Sequence, residues 1–331
     1  MNFSLTYDKE TKELIQNRIN FTSKRINILP EQLRAVFPHL LETEMKFKMN
    51  EDISSYIDHT LLKPDATKEQ IKQLCQEAID NKFYAVCVNS NRVKEAFEFL
   101  GKNSVQLAAV VGFPLGVTDT NCKIFETETA IDNGATEIDM VINVGRLKDE
   151  EYFEVLSDIR EVVKSVDESV KVKVILETCL LTKELIVDAC ILSVIGGASF
   201  VKTSTGFSQG GAKVEDVRLM KLVVGDLAEV KASGGVRSYE DAMKMIANGA
   251  TRIGTSSGVK ISKEKNDVKQ NQIDSISDQN LNRNSSSSSF VNPKIALCGA
   301  FLTAAISGFF AGYVYQQNSQ NSNKKNPKKK K

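Results

Sequence analysis

The sequence predicts an α/β protein whose main part is a (β/α)₈ barrel, the TIM-barrel architecture. Eight short runs rich in Val and Ile alternate with helix-like segments over roughly 205 residues, near the short end for this fold. The runs lack regular polar alternation, as expected of parallel strands covered on both faces. The main alternative, an open doubly wound sheet, would place a GxGxxG turn after the first strand, and the sequence has none there.

The strand-like runs begin soon after Ile53. They are Tyr56–Thr60, Tyr84–Asn89, Val105–Val111, Thr136–Asn143, Val170–Thr178, Ala198–Thr203, Glu229–Ala232 and Arg252–Thr255. The helix-like segments between them show apolar residues at three- and four-residue spacing: Thr67–Asn81, Arg92–Leu100, Thr118–Asn133, Glu150–Val166, Thr182–Gly196, Lys213–Leu227 and Ser238–Asn248. Asn133-Gly-Ala135, Gly196-Gly-Ala198 and Asn248-Gly-Ala250 repeat one device, a glycine that ends a helix before the next strand.

Residues 1–52 precede this alternation and are expected to form a helical extension. Thr11–Asn20 and Pro30–Phe47 have helix-compatible spacing, which Pro38 interrupts. We expect the extension to cover the bottom of the barrel. A contact between the two subunits of a homodimer is the alternative.

The C-terminal region divides into three further segments after a barrel at 53–260. Residues 261–293 are dominated by Lys, Asn, Gln, Asp and Ser, a composition typical of a disordered linker. Residues 294–316 contain Ile295–Tyr315, which has no charged residue and would form a helix about 31 Å long, enough to cross a bilayer core. A basic tail, 317–331, follows. We therefore expect a C-terminal transmembrane helix that anchors a cytoplasmic catalytic domain to an intracellular membrane.

Composition excludes several classes of function. Without the six lysines among residues 324–331 the chain has 37 basic and 42 acidic residues, which does not favour nucleic-acid binding. The six cysteines show no CxxC pairing, and the chain has two histidines, so we expect no metal site. We interpret the cysteines as reduced, in keeping with a cytosolic protein.

Three charged residues lie in or at the ends of apolar strands. Lys202 follows Phe200-Val201, Lys231 lies in Glu229–Gly235, and Asp139 lies in Glu137–Asn143. An isolated strand lysine usually extends its ammonium to solvent. However, a buried lysine that loses its proton is a nucleophile able to form a Schiff base with an aldehyde. Three such charges beside βα loops indicate one site.

Seven stretches between Ile53 and Gly258 resemble deoxyribose-phosphate aldolase, a family of class I, Schiff-base aldolases with a (β/α)₈ fold. They are IDHTLLKP (57–64), VVGFPLG (110–116), EIDMVINVG (137–145), VILETC (174–179), FVKTSTGF (200–207), KASGGVR (231–237) and RIGTSSG (252–258). Each motif alone is a modest signal, and together, in family order, they are strong. The resemblance implies reversible cleavage of 2-deoxy-D-ribose 5-phosphate to D-glyceraldehyde 3-phosphate and acetaldehyde, without a cofactor.

The resemblance also implies residue roles. Lys202 would be the Schiff-base lysine, and Lys231 and Asp139 the proton-transfer pair. A second cation near Lys202 would favour its neutral, reactive form. Cys87 would lie near the aldehyde end, although a lone strand cysteine is more often buried packing. Lys173 would either join the charged network or point outward. The remaining implied substrate-binding residues are Asp58, Thr60 and Leu62 at the first strand, and Thr205, Gly206, Gly234, Gly235, Ser256 and Ser257 around the phosphate.

Two alternatives stay open at this point. One is another phosphate-binding barrel, such as an isomerase or a different Schiff-base aldolase, although an isomerase would need a carboxylate base but not two lysines. A catalytically silent, membrane-tethered barrel acting as a scaffold is the other. One position departs from part of the family: where some relatives carry a lysine, this chain has Phe207, so that phosphate contact is absent.

Overall fold

The structure is a computed structural model that describes residues 2–267. Its main part is a closed barrel of eight parallel strands, which confirms the (β/α)₈ prediction. In order around the barrel the strands are β10 (Arg252–Thr255), β3 (Ile57–Leu61), β4 (Ala85–Asn89), β5 (Gln106–Val111), β6 (Glu137–Val141), β7 (Lys171–Ile175), β8 (Phe200–Lys202) and β9 (Glu229–Ser233).

Helices between the strands form the outer layer. They are α3 (Lys68–Asp80), α4 (Val93–Leu100), α5 (Thr120–Asp132), α6 (Val144–Lys148), α7 (Tyr152–Lys164), α8 (Lys183–Ile195), α9 (Val214–Val224) and α10 (Tyr239–Ala247), followed by a helix over 258–267. Single 3₁₀ turns occupy Ile53–Tyr56, Ser90–Arg92 and Thr178–Leu180. The predicted strand and helix segments therefore coincide with observed elements to within a few residues at each end.

Side-chain alternation along the strands determines what reaches the barrel interior. On β3, Asp58 is fully buried and faces Lys231 of β9 inside the barrel. Its neighbour His59 instead places Nε2 2.7 Å from Glu77 Oε2 on α3. Successive side chains of a strand point to opposite faces. Residues two apart on one strand are therefore both candidates for the interior.

Residues 2–52 form an extension that contains both helices and strands. It contains β1 (Asn2–Thr6), α1 (Lys9–Arg25), α2 (Pro30–Val36), a 3₁₀ turn (Pro38–Leu41) and β2 (Glu44–Lys48), with β1 and β2 paired antiparallel. The prediction of helical structure over Pro30–Phe47 is therefore wrong at its C-terminal end, where the chain forms β2. Glu44–Lys48 alternates polar and apolar residues and buries Met45, the pattern of a half-buried strand.

The extension packs along the outer helices rather than only beneath the barrel. Arg18 of α1 forms an ion pair with Asp188 of α8, with Nη2 2.5 Å from Oδ2. Tyr7 donates its hydroxyl hydrogen to the Leu222 carbonyl over 2.9 Å at the end of α9. The structure contains one chain, so the homodimer contact stays a prediction.

The disordered linker predicted from residue 261 is wrong at its start, because 261–267 belong to the helix over 258–267, in which Ile261 is buried. The rest of the predicted linker, the predicted transmembrane segment at 294–316 and the basic tail lie outside the described residues. Within residues 2–267, no helix combines the length and apolar character that a membrane span requires.

Candidate active site

Charged side chains from six neighbouring strands converge inside the barrel. Lys202 of β8 and Lys231 of β9 are register partners on adjacent strands, and Asp139 of β6 is the register partner of Lys173 of β7. All four side chains are buried, and at most 2 % of the surface of any one residue is exposed. The structure thus brings together the three strand charges that the sequence singled out, and adds Lys173 to them.

Asp139 is the common partner of the three lysines. Its Oδ1 lies 2.6 Å from Lys173 Nζ, and its Oδ2 lies 2.9 Å from Lys202 Nζ and 2.8 Å from Lys231 Nζ. Burial alone would raise the pKa of Asp139, but the attraction of the three ammonium groups outweighs it and holds that pKa well below its usual range. Asp139 is therefore a carboxylate that positions three amines.

The three lysines differ in the number of carboxylates that they meet. Lys231 also lies 2.5 Å from Asp58 Oδ2, and Lys173 lies 2.7 Å from Glu137 Oε2. Burial would lower the pKa of Lys173 and of Lys231, but their carboxylate partners raise both instead. Lys202 forms an ion pair with Asp139 alone among residues 2–267.

Sequence reasoning missed two members of this cluster, Glu137 and Arg252. Arg252 of β10 places Nη1 2.6 Å from Asp58 Oδ1 and Nη2 2.8 Å from Glu137 Oε1. Its guanidinium carbon lies 3.3 Å from the centroid of the Tyr84 ring. The alternation of strand side chains could have found Glu137, because an interior Asp139 places the residue two positions earlier on the same face.

The opposite wall of the barrel interior is apolar. Leu62, which follows β3, forms a buried cluster with Cys87 of β4 and with Ala108 and Val110 of β5, and Phe113 packs against it. Burial raises the pKa of the Cys87 thiol, which is therefore neutral packing in this wall. The site consequently has one charged side and one apolar side, an arrangement suited to an aldehyde whose carbonyl carbon must meet an amine.

The first strand contributes less directly than the sequence analysis expected. Asp58 is held between Lys231 and Arg252 inside the barrel. The Thr60 hydroxyl donates to the Asp58 carbonyl over 2.8 Å. Leu62 is a member of the apolar wall.

The loops after β8 and β9 approach each other at the mouth of the barrel. A Cβ on Gly234 would lie 3.0 Å from Gly211 Cα and 3.7 Å from Gly206 Cα. Thr205 donates its backbone N–H and its hydroxyl to Glu177, which follows β7. The sequence analysis did not single out Glu177. Its position in the Val174–Cys179 motif was the available signal.

Gly206 and Gly235 present backbone to open space. Both have φ in the left-handed region, +83° and +82°, and a Cβ on either would meet no atom within 4 Å. Their N–H groups donate no hydrogen bond to another residue of the described part of the chain. Two exposed donors at the carboxyl ends of neighbouring strands are suited to an anionic group.

Ser256 and Ser257 lie on the loop after β10, before the helix over 258–267. The carbonyl of Ser257 accepts from Ile261 N–H over 3.0 Å, so Ser257 is the N-cap of that helix. Its own N–H donates to Thr255 Oγ1 over 2.9 Å, and the Thr255 hydroxyl donates to the Val236 carbonyl. The two serines are thus tied to the loop that carries Gly235.

No group of three or more His, Cys, Asp or Glu side chains in residues 2–267 is arranged to hold a metal ion.

Comparison with known proteins places the barrel among aldolases. A family profile described as DeoC/LacD family aldolase matches residues 53–264. The deoxyribose-phosphate aldolase of Thermococcus gammatolerans is 60% identical over 213 residues, covering 63% of this chain and 95% of that protein. The deoxyribose-phosphate aldolase of Thermotoga maritima is 58% identical over 211 residues, covering 64% of this chain and 85% of that protein.

A solved structure agrees. The chain is similar to the tetrameric deoxyribose phosphate aldolase from Aeropyrum pernix, with a TM-score of 0.58 and 32% identity, covering 76% of this chain and 96% of that one.

Proposed function

This chain belongs to the DeoC/LacD family of aldolases, and on that premise we propose that its barrel is a class I aldolase that cleaves 2-deoxy-D-ribose 5-phosphate reversibly to D-glyceraldehyde 3-phosphate and acetaldehyde. The relatives named deoxyribose-phosphate aldolase match the barrel over nearly their whole length, which supports this substrate. The reaction is a step in the catabolism of deoxyribose phosphate.

The first half of the reaction forms an electron sink on Lys202. The neutral amine adds to the C1 aldehyde of the open-chain sugar, and loss of water gives an iminium. Deprotonation of the C3 hydroxyl then breaks the C2–C3 bond, with its electron pair moving into the iminium. D-glyceraldehyde 3-phosphate leaves, and an enamine remains on Lys202.

The second half releases the two-carbon product. The enamine takes a proton at C2 and returns to an iminium, and water hydrolyses this to acetaldehyde and the free amine. Asp139 and Lys231, which are 2.8 Å apart, are the pair that relays protons to and from the C3 hydroxyl and C2. The low pKa of Asp139 keeps it ionised, so the proton passes by way of a bound water or Lys231 rather than residing on the carboxylate.

The phosphate end of the substrate is assigned to the loops after β8, β9 and β10. The exposed N–H groups of Gly206 and Gly235 and the N-terminus of the helix over 258–267 supply donors for its oxygens. The side chain of Phe207 offers no hydrogen-bond donor to the phosphate, in contrast to a lysine at that position.

One observation carries the proposal: a buried lysine, Lys202, lies 2.9 Å from a carboxylate that two further buried lysines also contact. Lys173 and Lys231 each contact two carboxylates, whereas Lys202 contacts one. Lys202 is therefore the amine that we assign to the reaction with the aldehyde. An isomerase has no use for this arrangement, and the scaffold alternative is not favoured, because the relatives that match the barrel are named deoxyribose-phosphate aldolase.

The test is reductive trapping on the full chain. Acetaldehyde with borohydride should add about 28 Da to Lys202, the mass of an ethyl group in place of hydrogen, as read by peptide mass spectrometry. Lys202→Ala should lose both this adduct and cleavage of 2-deoxyribose 5-phosphate. Lys164→Ala is the matched control, because Lys164 is 68% exposed on α7. Cleavage retained by Lys202→Ala, or adducts spread over surface lysines alone, would rule out the assignment.

We also propose that residues 294–316 anchor the protein to an intracellular membrane with the barrel in the cytoplasm. The support is the sequence of Ile295–Tyr315, which has no charge over a length that matches a bilayer core. Flotation of the full chain with liposomes, compared with a chain lacking 294–316, tests this. Equal flotation of the two would contradict it.

A further inference from the structure

The buried charges of the site form a closed ring of alternating sign. Asp139 contacts Lys231, Lys231 contacts Asp58, and Asp58 contacts Arg252. The chain of contacts continues through Glu137 and Lys173 back to Asp139. Every contact is between 2.5 and 2.8 Å. We call this the charge ring: Asp58, Glu137, Asp139, Lys173, Lys231 and Arg252.

The charge ring is neutral by itself. Its three carboxylates have pKa values that burial would raise but that the neighbouring cations lower, to about 2 for Asp58, so all three are ionised. The pKa values of its three cations are raised by those carboxylates against the opposing effect of burial. Each member contacts two members of opposite sign, so no charge in the ring is left over.

Lys202 is the seventh ionisable group and stands outside this balance. It contacts the ring through Asp139 only, whose carboxylate already serves two cations. A protonated Lys202 gives the buried cluster one net positive charge, and a neutral Lys202 gives it none. An uncompensated charge in a buried site is costly, so a change in the charge of the ring should act on the amine of Lys202.

Two other titratable groups lie near Lys202, and neither forms an ion pair with it among residues 2–267. Burial raises the pKa of Cys87 on β4, and its thiol is neutral. Glu177, after β7, has its carboxylate bound to the N–H and hydroxyl of Thr205.

Resting on the proposed function, we propose that Glu137 and Arg252 are positioning residues that set the charge of Lys202 through the charge ring, without contact with the substrate. Glu137 is the first residue of β6, two residues before Asp139, and Arg252 is the first residue of β10. Neither contacts Lys202 directly. Their effect reaches the amine through Asp139, Lys173, Lys231 and Asp58.

Two substitutions change the ring charge in opposite directions. Glu137→Gln removes a negative charge, so the remaining cations lose protons more readily. Arg252→Gln removes a positive charge, so protons are held more tightly. The pH at which Lys202 becomes reactive should move down in the first variant and up in the second, each by about one pH unit or more. The double variant, Glu137→Gln with Arg252→Gln, removes one charge of each sign. The pH at which Lys202 becomes reactive should then return to the wild-type value.

The measurement is the rate at which acetaldehyde and cyanoborohydride label Lys202 in the full chain, followed across pH by peptide mass spectrometry. This readout needs no cleavage of deoxyribose phosphate. A chain whose Lys202 is labelled but that does not cleave 2-deoxyribose 5-phosphate contradicts the proposed function alone. Shifts in one direction for both single variants, no shift in either, or no return in the double variant overturn the proposal.

Folding of the variants is checked by thermal unfolding, because an unpaired buried charge is destabilising. Asp58→Asn makes the same charge change as Glu137→Gln, and Lys173→Met makes the same change as Arg252→Gln. If Glu137→Gln does not fold, Asp58→Asn is measured in its place, and if Arg252→Gln does not fold, Lys173→Met is measured in its place. The same direction of shift in the pH of labelling is expected. If none of the four folds, the ring serves the fold rather than the charge of Lys202, and the proposal is overturned.

Discussion

The rings of Phe113 and Phe207 meet edge to face, with centroids 5.1 Å apart and planes at 88°, although they follow strands that are not neighbours. Phe113 follows β5 and Phe207 follows β8, which lie three strands apart around a barrel of eight. The contact therefore crosses the mouth over the side formed by β6 and β7, the strands of Asp139 and Lys173. Phe113 also rests on the apolar wall, so the pair joins that wall to the loop after β8.

This contact leads to the first prediction, for Phe207→Ala. Loss of an edge-to-face pair costs about 1 kcal/mol, so stability should change little. Water entering above the lysines should weaken the electrostatic interactions of the site. We expect kcat/KM for 2-deoxyribose 5-phosphate to fall about tenfold, measured by steady-state kinetics.

Phe153→Ala is the matched control, because Phe153 is 61% exposed on α7 and lies on neither of the loops after β5 and β8. Unchanged kcat/KM in Phe207→Ala, or an equal fall in both variants, would show that the aromatic contact does not shield the site.

The sequence predicted the barrel and its charged strands well, because both depend on local patterns. Buried parallel strands require continuous apolar runs, and a lysine within such a run is conspicuous. The contact between Phe113 and Phe207 could not be predicted in this way. It depends on how far two loops reach across the mouth, which strand periodicity does not determine.

Arg252 and Phe47 were missed for different reasons. The partners of Arg252, Asp58 and Glu137, are distant in sequence and meet only when the barrel closes. Phe47 belongs to a short strand whose partner is Phe3, at the other end of the extension. A segment that pairs with residues 38 to 46 positions away gives a weak local signal.

The second prediction concerns the extension and its ion pair with α8. Asp188 is fully buried and accepts from Arg18, Thr22 and Tyr152, two of which belong to α1. Arg18→Ala leaves a buried carboxylate without its cation. We expect the free energy of unfolding to fall by about 3 kcal/mol, measured by chemical denaturation.

Lys24→Ala, an exposed residue at the end of the same helix, should change the unfolding free energy by less than about 0.5 kcal/mol. A similarly small change for Arg18→Ala would mean that the extension is not an integral part of the folded domain.

The third prediction is a loss of stability in acid that traces to Asp58. Burial would raise its pKa, but Lys231 and Arg252 lower it from 3.8 to about 2 in the folded chain. A carboxylate with a depressed pKa contributes stability that is fully present above its unfolded value and is lost as the pH falls through the folded value. The unfolding free energy should therefore decline between about pH 4 and pH 2.

Asp58→Asn should flatten part of that decline, whereas Asp65→Asn, at an exposed position, should leave it intact. The comparison uses denaturation at a series of pH values. An identical slope in the wild-type chain and Asp58→Asn would locate the acid sensitivity elsewhere.

The last prediction separates phosphate binding from amine chemistry. Gly206→Ala has space for the added methyl group, but φ of +83° lies in the left-handed region, where a Cβ costs about 1–2 kcal/mol. The strain should turn the exposed N–H away from its present direction. We expect KM for 2-deoxyribose 5-phosphate to rise several-fold, because the donor to the phosphate is displaced. Labelling of Lys202 by acetaldehyde, which has no phosphate, should be unchanged.

Gly101→Ala is the matched control, since Gly101 also has a positive φ of +58° and open space but lies at the end of α4. If both variants raise KM equally, backbone strain alone explains the effect. If Gly206→Ala slows labelling of Lys202 as well, the loop supports the amine rather than the phosphate.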